Sequence, residues 1–262
     1  LQVINMEFLQ YKTKEEYTKV WYRDRSYFSG AHLKYIAMIF MLLSHLAQTD
    51  FLYDLDQKFT LIADLFVFLG RISMPIFCFF TVQAIIYTRN FKKYTLRMLI
   101  FALISEIPFD LALHRSFYYP ESQNVIFTLL IGAVVIYAMD YFWKSNYNPI
   151  LKLIAMIAIV YVGYKLAFIL RADYKGYGII AIVFLYLAKD SKISTCLALL
   201  IAFYFEFIVY GYAIHISYGF VYLSIPLIML YNGQRGKQNK WLFYIFYPAH
   251  LLLIYILELL FL

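Results

Sequence analysis

Lys34 and His45 sit in one apolar run, LKYIAMIFMLLSHLAQTDFL, over residues 33–52. The run is long enough to cross a bilayer as a helix. Eleven steps at ~100° each come to ~1100°, within ~20° of three full turns, so the two side chains share a face. The rise between them is roughly 16 Å, about half the hydrocarbon core. A stripe with a cation at one membrane surface and an imidazole near mid-depth must face protein or water, because an ionised group in lipid costs at least ~2–3 kcal/mol. Histidine titrates near neutrality and is the usual general base for taking a proton from an amine or hydroxyl. With Ser44 beside it and Lys34 below it, His45 is the expected catalytic base, facing a wet chamber reachable from the cell interior.

Other ionisable residues also fall where lipid should be: Asp64, Arg71, Glu106, Asp110, His114, Asp140, Glu206, His215, His250 and Glu258. Glu106 and Asp110, four apart in SEIPFD, share a helix face, with Pro108 loosening the backbone between them. Two bare carboxylates would repel, so one is expected to be protonated or paired with a cation, and Arg71 is the natural partner. Asp64 and Arg71 share a face if their helix is continuous. In YPAH, Pro248 places the His250 imidazole just after a kink. Asp140 and His114 read as interfacial, while Glu206 and Glu258 stay open between a chemical role and a hydrogen bond to a neighbouring helix. A polar lock between helices is the alternative for every one of these groups. His45 with Asp50, Asp54 or Asp56 could be drawn as a metal site, but those acids lie toward the outer surface, and none is expected. A Gly-rich phosphate loop, an HExxH, a Cys/His metal spacing and a nucleophile elbow are all missing from the sequence.

Of the 262 residues, 63% are hydrophobic, 21% aromatic and only 15% charged, against ~25% charged in soluble domains. The expected class is all-α: a polytopic transmembrane bundle of about nine spans with the lipid bilayer as its solvent. The spans read as 33–52, 61–88, 96–113, 125–143, 150–170, 177–188, 193–214, 217–231 and 241–262. Gly70, Arg71 and Pro75 break the second, leaving 61–70 re-entrant or interfacial. Residues 1–32 form a polar N-terminal segment without an apolar signal-peptide core, Met6 reads as the natural start, and 33–262 form one membrane domain. With the N-terminus in the cytoplasm, most of the 23 Lys plus Arg fall in cytoplasmic segments, as the positive-inside rule requires. The net charge of +7 is then topological, and no nucleic-acid partner is expected. Arg89 and Lys93, in RNFKKYTLR, could additionally meet anionic lipid or a phosphorylated cofactor. Cys78 and Cys196 lie in apolar runs and read as buried small hydrophobes.

The blocks LKYIAMIFMLLSHL (33–46), GRISMPIFCFF (70–80), TRNFKKYTLRMLIFALISEIPFDLAL (88–113), NVIFTLLIG (124–132), ADYKGYGI (172–179) and PLIMLYNGQRGKQNKWLFYIFYPAHLLLIY (226–255) resemble the TraX family of integral membrane proteins, whose namesake acetylates pilin. The family is similar to larger acyltransferases of the acyltransferase-3 type, which carry a basic residue, ten intervening residues and a histidine on their first helix. Lys34 and His45 have that spacing. The larger group also has an R-x-x-R pair, which this chain lacks in clear form. The resemblance implies acyl transfer from acetyl-CoA to the hydroxyl or amine of an exported peptide or cell-surface glycan at the cytoplasmic membrane. On that reading Lys34, Arg71, Arg89 and Lys93 meet the donor, and Glu106 or Asp110 orients His45 or holds Arg71. Asp173 and His250, in two of the matching blocks, meet the acceptor. The alternatives are a non-catalytic scaffold of a surface-assembly or conjugation apparatus, or an ion- or proton-coupled transporter.

Overall fold

The computed structural model describes residues 19–21, 27–49, 51–209 and 216–261. Asp50, His215 and the side chain of Glu206 lie outside the described residues. Among the described residues the secondary structure is helical, with two isolated parallel bridges, Phe28 to Tyr231 and Gln123 to Ala172.

Helix α1 (Gly30–Gln48) starts where Ser29 caps it. The Ser29 hydroxyl accepts from the His32 N–H at 3.3 Å, and His32 Nδ1 accepts from the Ser29 N–H at 3.4 Å. This is a capping box with histidine in the place usually held by Glu or Gln. The N–H groups of Gly30 and Ala31, free at any helix start, are taken by the carbonyls of Gln234 and Arg235 at 2.8 and 2.9 Å. The helix closes at Thr49. The two caps bound α1 at 30–48 instead of the expected 33–52, and His45 falls in its last turn.

Short helix α2 (Phe51–Leu55) and a 3₁₀ turn (Gln57–Phe59) lead into α3 (Thr60–Gly70), which is separated from α4 (Ser73–Tyr87) by the expected break. The Arg71 and Ile72 N–H groups bond carbonyls only three residues back, Phe68 at 3.2 Å and Leu69 at 3.1 Å, which tightens the turn and re-aims the chain. Pro75 sits in the first turn of α4, where its missing N–H has no partner to lose. Gly70 lies against α1 so closely that a Cβ there would come within 2.1 Å of the Ser44 Cβ.

Asn90, Asn124 and Asn148 cap α5 (Phe91–His114), α6 (Val125–Lys144) and α7 (Pro149–Ile169). Each side chain accepts a backbone N–H in the following turn, which satisfies one orphan donor per helix. Pro108 is carried inside an unbroken α5. Then follow α8 (Lys175–Leu187), α9 (Lys192–Val209), a 3₁₀ stretch (Ile216–Leu223), α10 (Ser224–Met229) and α11 (Lys240–Phe261). The eighth expected run is thus part 3₁₀ and part α rather than one regular helix.

Helix α4 is the centre of the bundle, packed on α1, α6, α8 and α10. Every residue from Ile72 to Gln83 is buried except Phe77, which is half-buried. A helix apolar all round belongs in such a place. Helix α7 is the opposite case: Ile154, Ile157 and Val162 are each about 60% exposed (58%, 62% and 63%). Among the described residues, five segments are long and apolar enough to cross a membrane: α1, the broken Gln57–Tyr87 unit, α6, α7 and most of α11. An apolar face like that of α7 fits lipid and not water, and the chain is a helical membrane protein. Trp21, from the N-terminal segment, is fully buried edge-on against Phe79 at 5.1 Å.

Replacing Gly70 by alanine forces α1 and α3 apart. The expected cost is about 1–3 kcal/mol, read as a lower unfolding temperature in detergent, with Gly70→Leu worse than Gly70→Ala.

Candidate active site

His45 is buried, and its Nδ1 lies 2.7 Å from Nε2 of His250, on α11. The rings are stacked, 11° from parallel with centroids 5.0 Å apart. His250 Nδ1 lies 2.7 Å from the Phe246 carbonyl oxygen. A carbonyl only accepts, so His250 Nδ1 carries its hydrogen. With one proton per ring, His250 Nε2 is then an acceptor, and His45 Nδ1–H donates to it. That network leaves the lone pair on Nε2 of His45. Tyr247 closes the pair from one side, edge-on to His45 at 6.0 Å and to His250 at 5.5 Å.

His45 lines a cavity of about 340 Å³ at its end of α1. Met41, Ser44 and Gln48 come from the same face of α1, as a helical repeat of three and four demands. The break after α3 delivers Arg71 into this cavity, and the loop before α8 delivers Asp173. That loop is held in an uncommon conformation: Arg171, Tyr174 and Lys175 have φ of 55°, 60° and 45°. Left-handed backbone at non-glycine residues persists only where surroundings over-determine it. Here the Asp173 N–H bonds the Gln123 carbonyl at 2.8 Å, the Gln123 N–H bonds the Arg171 carbonyl at 3.0 Å, and the Thr128 hydroxyl bonds the Asp173 carbonyl. Burial pushes the Asp173 carboxyl up to about 6, although the Tyr174 N–H and the Arg71 charge both favour its ionised form.

Lys34 lies elsewhere. Its Nζ donates to Gln238 Oε1 at 3.2 Å and sits over the rings of Phe80 and Phe243, 4.9 and 5.4 Å from their centroids. It lines two adjoining cavities, about 440 and 360 Å³, together with Tyr94 and Arg235; Arg97 lines the second. Lys34 and His45 therefore share a helix face but not a chamber.

Several expected roles change. His250, expected to meet the acceptor, is instead found as the hydrogen-bond partner that orients His45, and it lines none of the three cavities. Glu106 does not orient His45: one of its oxygens accepts from the Asn124 side chain, and Asp110 accepts the Tyr119 N–H at 2.8 Å. Their other oxygens are buried without a hydrogen-bond partner, and neither residue lines the Arg71 cavity. Both instead fasten the chain between α5 and α6. Arg89 and Lys93 are exposed and line none of the three cavities, because Asn90 caps α5 and the inward face starts at Tyr94. Glu258 is an anchor, paired with Arg115 at 2.6 Å. Asp140 pairs with Lys144 at 2.5 Å and accepts the Tyr186 hydroxyl at 2.7 Å. Arg97, Arg235 and Tyr247 were not singled out from the sequence. The two arginines read there as topological charge, and Tyr247 as one more aromatic.

A multi-pass helical membrane protein with a buried imidazole pair at one end of a polar stripe and a cationic cavity at the other is the class that fold and site define. The family model described as "TraX protein" matches residues 29–258, and the chain belongs to the TraX family. It is 29% identical over 248 residues to the "Probable fimbrial assembly protein FimC, serogroup H1" of Dichelobacter nodosus, covering 87% of this chain and 94% of that protein. No solved structure matches.

Removing one imidazole of the pair strands a buried donor or acceptor, which costs ~1–3 kcal/mol, whereas removing both leaves neither stranded. The double variant His45→Leu/His250→Leu is expected to be less destabilised than the sum of the two single changes in a double-mutant cycle; strict additivity would refute the hydrogen bond. A second expectation concerns pH. The folded carboxyl of Asp173 titrates above its unfolded value, so its stability cost is absent below the unfolded value and complete above about 6. Asp173→Asn should raise the unfolding temperature relative to wild type at pH 7.5, and the gain should fade toward pH 4.

Proposed function

We propose that the protein is a membrane-embedded acyltransferase that moves an acetyl group from cytoplasmic acetyl-CoA to the hydroxyl or amine of an exported peptide or cell-surface glycan. The observation that carries this reading is the imidazole relay, which leaves Nε2 of His45 as an oriented base beside a polar cavity. On this reading, with the nine spans and cytoplasmic N-terminus expected from the sequence, Lys34, Arg97 and Arg235 stand at the cytoplasmic surface. There they match the phosphates of the donor. His45, Arg71 and Asp173 then face the outer side, from which the acceptor arrives.

In the reaction, His45 Nε2 takes the proton of the acceptor O–H or N–H as its oxygen or nitrogen attacks the thioester carbonyl. The Arg71 guanidinium is placed to stabilise the oxyanion. The C–S bond breaks, and the departing thiolate takes up a proton, leaving CoA and the acylated acceptor. Membership of the family, and likeness to a protein named for fimbrial assembly, support an exported or surface-assembled acceptor. That name also fits a scaffold without chemistry, which remains the second reading.

Purified protein is expected to release CoA from acetyl-CoA, slowly even without acceptor. His45→Gln keeps a donor for His250 and removes the base, so it should lower turnover about 100-fold or more while leaving the unfolding temperature nearly unchanged. Normal turnover in that variant would assign the base elsewhere. A wild type that neither binds nor cleaves acetyl-CoA, yet co-purifies tightly with envelope proteins, would favour the scaffold. The orientation has its own test: a membrane-impermeant thiol reagent should label Lys58→Cys in intact cells and Lys237→Cys only after permeabilisation.

A further inference from the structure

The Lys34 cavities and the His45 cavity approach each other along α4. Met74 lines the His45 side, Phe80 and Thr81 line the Lys34 side, and Phe77, between them, lines both. It is the only described residue common to the two linings. Helix α6 repeats the pattern: Val125 faces the His45 cavity and Leu129, one turn on, the Lys34 cavity. One helical turn rises ~5.4 Å, so the partition is about one side chain thick. Its burial agrees, since Phe77 is the one residue of the stretch Ile72–Gln83 that is half-buried and not buried. Met41 and Met74, the flexible thioethers lining the His45 side, are side chains that re-pack readily.

We infer that Phe77 is the residue through which the acyl group passes on its way to His45, and that its ring selects acyl groups by width. This rests on the acyltransferase reading above. Phosphates stay at the Lys34, Arg97 and Arg235 end, because carrying several charges through the apolar interior is prohibitive. The acyl thioester must nevertheless come to His45, roughly 16 Å further along α1. The uncharged arm of the donor therefore crosses at Phe77. A ring that swings aside admits a narrow linear acyl group and obstructs a branched or aromatic one. Width, not length, is the property discriminated, since a longer linear chain threads the same opening.

The test compares turnover of acetyl-, isobutyryl- and benzoyl-CoA by wild type, Phe77→Leu and Phe77→Ala. Stabilisation of each protein by free CoA is measured in parallel. Wild type should strongly favour acetyl-CoA. Phe77→Ala should raise the isobutyryl-to-acetyl ratio about tenfold or more, the size of effect one methylene exerts in a tight pocket, with Phe77→Leu intermediate. CoA should still stabilise both variants, because Lys34, Arg97 and Arg235, which meet its phosphates on this reading, are left in place. An unaltered ratio in both variants overturns the inference while leaving the acyltransferase reading standing. Should Phe77→Ala not fold, Phe77→Leu decides alone. A wild type inactive on all three donors overturns the acyltransferase reading, and this one with it.

Discussion

The hydrogen bond between His45 and His250 constrains the structure more than its size suggests. It joins residues 205 positions apart at 2.7 Å, across helices α1 and α11, which also meet through their rings where Tyr35 stacks on Phe243 and Tyr247 stands edge-on to His45. Helix α1 is located by its close seam with α3, at Ser44 and Gly70, and by the carbonyls of Gln234 and Arg235 at its start. Helix α11 is located by α5, and the Glu258–Arg115 pair ties their ends together. The imidazole pair is where these two sets of packing meet. A buried polar pair tolerates little error in that meeting, because a misplaced ring leaves the other unsatisfied in apolar surroundings.

The elements around the pair follow from the same demand. Arg71 reaches the cavity only because the helix stops at Gly70, and Asp173 only because its loop adopts left-handed backbone on either side of it. Both departures from regular structure cluster at one cavity, and both are held by hydrogen bonds to neighbouring elements. Regular helix would aim neither side chain there. Glu106 and Asp110, which look more chemical in the sequence, do plainer work by binding Asn124 and the Tyr119 N–H. That use fixes where α6 begins, and hence where Val125 and Leu129 stand.

Some of this was legible in the sequence and some was not, for identifiable reasons. The Lys34–His45 stripe and the break near Arg71 were readable because helical periodicity and Gly/Pro chemistry are local. The bounds of α1 were misjudged because hydrophobicity marks apolar runs but not caps, and the Ser29–His32 box starts the helix three residues earlier than the apolar run. The His45–His250 pairing had no local signal: it depends on which helices become neighbours. Arg97 and Arg235 were hidden in plain view, since a cation at a membrane surface satisfies the topology rule whether or not it lines a cavity. Arg89 and Lys93, denser in charge, drew attention instead, and both stand exposed before and in the first turn of α5, outside the cavities that Arg97 and Arg235 reach.

Dielectric contrast gives the arrangement its logic on the acyltransferase reading. A donor with several phosphates gains most from cations at the aqueous surface and loses heavily by entering the bundle. Proton abstraction by an imidazole, by contrast, benefits from a site where few waters compete for the lone pair. One helix satisfies both demands if its polar stripe is long enough to hold the two ends apart and apolar enough between them to seal. In α1 the residues between Lys34 and His45 on that stripe are Met38 and Met41, both buried. Opposite them the α4 side chain that touches both cavities is a phenyl ring. A continuous wet chamber would admit water freely to the base. Two cavities with an apolar partition hold the charged end of a donor apart from the base until its uncharged arm fills the gap.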